Sequence, residues 1–364
     1  MRVLIVNAGS SSLKLRVVEQ DDNVSAARDL APPRGVDAAA RLQETIAALG
    51  PVDAVGHRIV HGGTEFTKAV VLSPEIEERL RALTDLAPLH QPKSLAALEA
   101  TKAAFPDVPA VACFDTAFHA RLPAAVSTYA LPLEWRQRWP LRRFGFHGLS
   151  HAYSSSQAAA ILGRSIEDLR VVTCHLGAGA SLCAVLHGRS VDTTMGFTPL
   201  EGLVMATRSG SVDPGLVLWL EQHVGVSAAD LAEALENHSG LLGLAGDADM
   251  ETVLRKSDEG TRSARLAVDV YLHRLCAGIA AMVAAMEGLD ALVFTGGVGE
   301  NSAQIRELCS ARLGFLGVGV DSTRNQSGSG DREIGTDRSV VRVLVIESRE
   351  ELQIAHEVRR LLSG

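Results

Sequence analysis

Short runs rich in Val, Ile and Leu alternate along the chain with longer stretches whose apolar residues recur at helical spacing, a pattern that predicts an α/β protein. Strands are predicted at residues 2–6, 13–18, 68–72, 109–113, 170–175, 181–187, 290–295 and 340–346. Helices are predicted at 74–83, 94–104, 152–162, 228–236, 261–287, 302–312 and 350–362. Ser73 with Pro74 supplies a cap and a first-turn proline, and Ser227 caps the helix after it. The stretch 322–337, dominated by Ser, Gly and charged residues, predicts a surface loop. Helix 261–287 is apolar around its whole circumference, as expected of a central helix or of a contact between two copies. Its apolar core, Leu275 to Met286, is short for a membrane span and is bounded by Arg274 and Glu287.

Two segments echo each other. Val3 to Val18 reads strand, Asn7, Gly9, Ser10-Ser11-Ser12, strand; Val171 to Leu186 reads strand, His175, Gly177, Gly179, Ser181, strand. Each alone is what an ordinary hairpin needs. Together they point to a duplicated fold whose two turns present backbone N–H groups to a phosphate chain.

Composition narrows the class of ligand. Lys and Arg total 35 against 43 Asp and Glu, a formal charge of -8, so no net positive field draws the chain to nucleic acid or to anionic lipid. A small soluble ligand is expected, with no nucleic-acid or membrane partner. The N-terminus runs directly into a strand pattern without a secretory succession, and the five cysteines lack C-x-x-C spacing, so a cytoplasmic protein with reduced thiols is expected.

None of the five lysines follows glycine, which removes a Walker A loop, and no serine sits in a nucleophile elbow. The segment Phe294-Thr295-Gly296-Gly297-Val298-Gly299-Glu300-Asn301-Ser302 follows a predicted strand and opens a helix, where glycines let a backbone approach a phosphate; the geometry of the turn alone also calls for glycine. His147 and His151 lie four apart, but Gly148 stands where a metalloprotease has its glutamate, so a metal pair is not favoured. Arg58 and Arg208 lie among small residues in predicted loops, where a guanidinium can grip a carboxylate or phosphate with two N–H groups; a surface ion pair is the plainer alternative. Asp115 ends an apolar strand, the usual place for a working carboxylate in an α/β fold, although helix capping uses the same residue type.

With these segments in order, the chain resembles the acetate kinases of the actin-like, sugar-kinase and heat-shock ATPase superfamily. The matches run nearly end to end: Asn7 to Lys14, His57 to Gly63, Ala87-Pro88-Leu89-His90, Phe114 to His119, Arg143 to Gly148, His175 to Gly179, Gly196 to Gly202, Arg208 to Gly215, Gly296 to Ser302 and Glu350-Glu351-Leu352. The resemblance implies two actin-like (ribonuclease H-like) α/β domains flanking a nucleotide-binding cleft, one from 1–118 plus 350–364 and the other from 119–349. It implies reversible transfer of the ATP γ-phosphoryl group to acetate, giving acetyl phosphate and ADP.

By the same resemblance Arg58 holds the substrate carboxylate, Arg208 and His147 meet the transferring phosphoryl group, and Asp115 is catalytic, with orientation of Arg58 or ordering of metal-bound water preferred to base catalysis. Val60, Leu89, Phe146 and Pro199 match the pocket for the acetate methyl, and His90 the phosphoryl path. Asn7 and Glu350 would organise Mg²⁺ or Mn²⁺. Lys14, His175, Leu176, Gly177, Ala178, Gly179, Asp249, Met250, Glu251, Gly297, Val298, Gly299, Glu300 and Asn301 would contact ATP or ADP. A homodimer is implied. The alternatives are a kinase for propionate or another short acid, and a pyrophosphate-using or impaired relative, because Ala178 and Glu251 depart from the family pattern.

Overall fold

The computed structural model describes residues 1–9, 13–30, 38–86 and 91–363. Two compact units divide the chain. The first comprises Met1–Ala120, Phe146–Tyr153 and Arg349–Gly364; the second comprises Arg121–Gly145 and Ser154–Ser348. The first therefore takes in Phe146–Tyr153, which the division by sequence assigns to the second.

The first unit is built on strands β1 (Val3–Ala8), β2 (Leu13–Val18), β3 (Val24–Leu30), β4 (Ala54–Ile59), β5 (Val70–Val71) and β6 (Ala110–Phe114), in the spatial order β3-β2-β1-β4-β6-β5. Strands β1, β2 and β3 form an antiparallel meander, while β1, β4 and β6 run parallel. The second unit repeats the scheme with β7 (Arg170–Leu176), β8 (Ala180–Leu186), β9 (Arg189–Thr193), β10 (Ala291–Thr295), β11 (Arg332–Glu333) and β12 (Arg342–Val345). Its order is β11-β12-β10-β7-β8-β9, again three antiparallel strands followed by parallel β7, β10 and β12. The echo of the two hairpins is thus a duplication of whole sheets, although the Ser10–Ser12 turn lies outside the described residues.

The parallel strands are buried on both faces, as such strands must be. Val3 to Val6, Val111 to Phe114 and Ala291 to Phe294 are nearly inaccessible. Helix Glu350–Leu362 lies against β1, β2, β4 and β6, where Ile354 and Val358 crowd Gly56 so closely that a Cβ there would come within 2.5 Å and 2.9 Å of their methyl groups. In the second unit helix Arg262–Ala285 contacts β8 and buries Leu272, Leu275, Ile279 and neighbours spaced three or four apart. By length and composition it is the one helix among the described residues apolar enough to cross a membrane.

Ser73 and Ser227 cap their helices as predicted, accepting from the N–H groups of Ile76 and Asp230. Two readings are corrected. Residues 322–337 hold a short helix, Ser322–Gln326, capped by Asp321, and strand β11, because Asn325 faces inward and hydrogen-bonds a buried arginine. Arg58 is on a central strand, β4, not in a loop. Gly56, His57 and Arg58 break the apolar run that signals a buried strand.

Candidate active site

In the first unit the chemistry gathers at the carboxyl ends of the parallel strands, where side chains of adjacent strands come into register. Asn7 on β1 is paired with Arg58 on β4, and Asp115 follows β6 directly. Arg58 Nε and Nη2 donate to Oδ1 and Oδ2 of Asp115 at 2.9 and 2.6 Å, a two-pronged ion pair with both side chains largely buried. Arg58 Nη1 donates to Asn7 Oδ1 at 3.0 Å, Asn7 Nδ2 donates to Glu350 Oε2 at 3.0 Å, and that oxygen lies 3.5 Å from Arg58 Nε. Burial alone would lower the Arg58 pKa; the carboxylates of Asp115 and Glu350 outweigh it and hold the guanidinium protonated well above its ordinary value. Burial raises Asp115, opposed by Arg58 and by a backbone hydrogen bond from His147.

His147 reaches that position through a left-handed backbone, φ 56°. The next residue, Gly148, donates its N–H to the Asp115 carbonyl at 2.9 Å and opens helix Gly148–Leu162. His151 is buried in that helix with its ring edge-on to His119 at 5.7 Å, so the two histidines of the spaced pair have different settings. Val60 and Phe146 are buried, and the His61 ring meets Phe146 edge-on at 5.5 Å. Lys14 is exposed on β2, in register with Asn7. Leu89 and His90 lie outside the described residues.

Burial lowers His57, His61 and His119 of this unit to about 4; for His119 a hydrogen bond to the Phe146 carbonyl opposes it. Unfolded histidines, near 6.5, bind protons that the folded ones refuse, so stability is lost as pH falls from about 6.5 to about 4. The slope is about 1.4 kcal/mol per pH unit for each histidine. Urea midpoints measured across this window should fall, and His57→Phe should flatten the fall.

The second unit carries a different site. Gly296 (φ 78°) has Leu176 backbone atoms so close that a Cβ would lie 2.9 Å from the Leu176 carbonyl oxygen. This brings the β7–β8 turn beside the turn after β10, and Gly297 meets open space. The two turns open on a cavity of about 1250 Å³ lined by Gly177, Ala178, Asp249, Met250, Glu251, Gly297, Val298 and Asn301 among others. His175, Leu176, Gly179, Gly299 and Glu300, expected beside them, do not line it. Leu176 and Gly299 are buried, and Glu300 turns inward to accept from the N–H groups of Gly296 and Ser348, both at 2.8 Å. Asp249 caps helix Met250–Asp258.

Sequence reasoning missed the residue that fastens this turn. Arg306, fully buried, donates through Nη1 to the carbonyls of Gly299 and Glu300 at 2.8 Å and through Nε to Asn325 Oδ1 at 2.7 Å. An arginine at a helical position reads as solvated, and only its pairing with Asn325, 19 residues away, could have marked it. Arg208 lies in a loop of this unit, its Nε donating to Glu236 Oε2 at 2.7 Å. Pro199 lies in the loop that Arg143 and Tyr129 secure by donating to Glu201, each at 2.6 Å.

The sequence profile of the Acetokinase family matches residues 31–356. An acetate kinase of Nostoc punctiforme is 42% identical over 406 aligned positions, covering 100% of both chains. Among solved structures, an acetate kinase of Porphyromonas gingivalis superposes with a TM-score of 0.91 at 34% identity, covering 99% of each chain. A propionate kinase of Francisella tularensis gives 0.90 at 35%, covering 98% of each. Both units are actin-like α/β folds, and the chain belongs to the acetokinase family, kinases whose phosphoryl acceptor is a carboxyl group.

Proposed function

We propose that the chain carries out reversible, Mg²⁺-dependent transfer of the ATP γ-phosphoryl group to acetate, with Arg58 as the carboxylate anchor. The observation that carries this reading is the division of labour within one guanidinium. Three of its five N–H groups are bonded to Asp115 and Asn7, and these bonds fix the plane. Two remain without a partner among the described residues, one on each Nη, as many as the two oxygens of a carboxylate need.

Acetate is already ionised at neutral pH, so no base is needed. One carboxylate oxygen attacks the γ-phosphorus as the bond to the ADP oxygen breaks, and His147 and Arg208 donate to the oxygens on which charge gathers. Asp115 is a positioning residue: buried and bound on both oxygens to Arg58, it orients the anchor. Val60 and Phe146 supply buried apolar surface for the methyl group. An added methylene changes binding in such a pocket by only ~1–3 kcal/mol, so propionate is a poorer substrate rather than an excluded one.

The residues fit a magnesium ion. Asn7 Oδ1 and the Glu350 carboxylate are hard oxygen donors on side chains joined by the Asn7 Nδ2 to Glu350 Oε2 hydrogen bond, and no group of three or more His, Cys, Asp or Glu among the described residues could cage a metal alone. That suits an ion held chiefly by nucleotide phosphates and water. When bound it would neutralise phosphate charge; Asn7 and Glu350 would hold it.

The nucleotide lies in the 1250 Å³ cavity of the second unit, where Ala178 and Gly297 of the two glycine turns are exposed. The enzyme is cytoplasmic and dimeric. Support for a dimer comes from helix Pro214–Trp219 and the turn after it, where Leu216, Leu218, Trp219 and Val224 are about half exposed. Leu218→Glu is expected to raise the dimer dissociation constant at least ~100-fold, read by sedimentation velocity over a concentration series.

A hydroxamate assay for acyl phosphate with ATP, Mg²⁺ and acetate, propionate or butyrate tests the function. Acetate should give the highest kcat/KM. Absence of hydroxamate with every acid would remove the reading.

A further inference from the structure

The second unit also holds two thiols in contact, outside the residues assigned above. The Sγ atoms of Cys276, on helix Arg262–Ala285, and Cys309, on helix Ala303–Arg312, are hydrogen-bonded at 3.7 Å. Cys309 is fully buried and Cys276 is partly accessible. Arg312 lies one turn beyond Cys309 and joins the same two helices through Asp269 at 3.1 Å. A reachable sulfur backed by a buried one beside a cation is the arrangement of an attacking and a resolving cysteine.

We propose that Cys276 and Cys309 form a reversible disulfide when the protein meets hydrogen peroxide. The Cys276 thiolate attacks one peroxide oxygen, the O–O bond breaks, and the departing hydroxide takes up a proton as water. The resulting sulfenic acid is attacked by Cys309 sulfur, which gives up its proton, and the S–O bond breaks with loss of a second water. Two thiols and one peroxide thus give one disulfide and two waters, the sulfurs losing two electrons to the O–O bond. The sulfurs need to close from 3.7 Å to about 2.05 Å. The hydrogen bond with Cys309 lowers the Cys276 pKa, burial opposes it and Arg312 adds to it, which favours thiolate at the accessible sulfur.

Both helices border the large cavity. Tyr271 lies five residues before Cys276, and Ser302, Ala303 and Gln304 lead into the helix of Cys309; all four line the cavity. The Tyr271 hydroxyl is buried with no hydrogen-bond partner among the described residues, so no bond resists its displacement. Drawing the helices together therefore shifts the cavity wall. Resting on the reading that this cavity takes the nucleotide, oxidation is expected to raise KM for ATP by about fivefold or more and to leave KM for acetate unchanged.

The full chain would be exposed to hydrogen peroxide, blocked with N-ethylmaleimide, digested and analysed by mass spectrometry, with Cys276→Ser alongside. A Cys276–Cys309 linked peptide that dithiothreitol removes, and that the variant lacks, is the expected result. Cys276 found as sulfinic acid, joined to Cys174, or unmodified would overturn it. A linked peptide with an unaltered KM for ATP would overturn the coupling to the cavity. If instead the enzyme used no ATP before oxidation, the nucleotide reading would fail while the peptide result stood.

Discussion

Arg58→Ala should lower kcat/KM for acetate by ~1000-fold or more, equivalent to about 4 kcal/mol of transition-state stabilisation. Two losses combine. The carboxylate loses its paired donors, and Asp115, buried and bonded on both oxygens to that guanidinium, becomes a charge without its cation. Removing one member of a buried pair typically destabilises by about 3–5 kcal/mol, so thermal unfolding should move down together with activity. Arg58→Lys separates the two effects. Its ammonium restores a charge opposite Asp115 but not the planar fork, so much of the stability should return while turnover stays low. The checks are hydroxamate initial rates over an acetate series and a thermal melt of each variant. Full stability with wild-type kcat/KM in Arg58→Ala would refute the anchor.

Gly148→Ala is the second large effect and is steric in origin. An added Cβ would lie 2.1 Å from the Asp115 carbonyl oxygen and 2.9 Å from Phe118 Cβ, both too close for any contact. The start of helix Gly148–Leu162 must move away, which breaks the Gly148 N–H bond to Asp115 and shifts His147, whose backbone N–H also bonds the Asp115 carboxylate. Overpacking of this kind destabilises by about 1–3 kcal/mol. A displacement near 1 Å at a reacting group lowers turnover about 100-fold, so both readouts should respond. Gly314→Ala is the matched control, since nothing lies within 4 Å of its Cβ; its melting temperature and rate should match wild type.

What could be read in the sequence follows from how strongly each residue departs from its neighbours. Asp115 stands out because an apolar strand ends on it, and Arg58 because glycines and histidines surround it. The same neighbours concealed the strand that carries Arg58: β4 has to present a charge at the edge of the core, so its pattern is broken where it matters most. The turn at Gly296–Gly299 was visible through its glycines, and its fastening was not. Glu300 looks like a ligand contact in sequence yet caps backbone N–H groups, and Arg306 looks solvated yet is sealed inside. Each also depends on a partner distant in sequence, Ser348 for Glu300 and Asn325 for Arg306, which spacing does not encode. The matching strand orders were legible only as two similar hairpins, since parallel neighbours β4 and β10 are brought in from far along the chain.

The placement of helix Glu350–Leu362 on β1, β2, β4 and β6 has a consequence for biosynthesis. During synthesis the β-sheet that carries Asn7 and Arg58 waits, one face uncovered, until helix Glu350–Leu362 has emerged from the ribosome. The second unit, contained within residues 121–348, has everything it needs earlier. Glu350 arrives with the closing helix, so the anchor's surroundings are assembled only once residues 350–362 have emerged, and a product stopped before them would expose apolar strand surface to chaperones instead of accumulating as a partly active kinase.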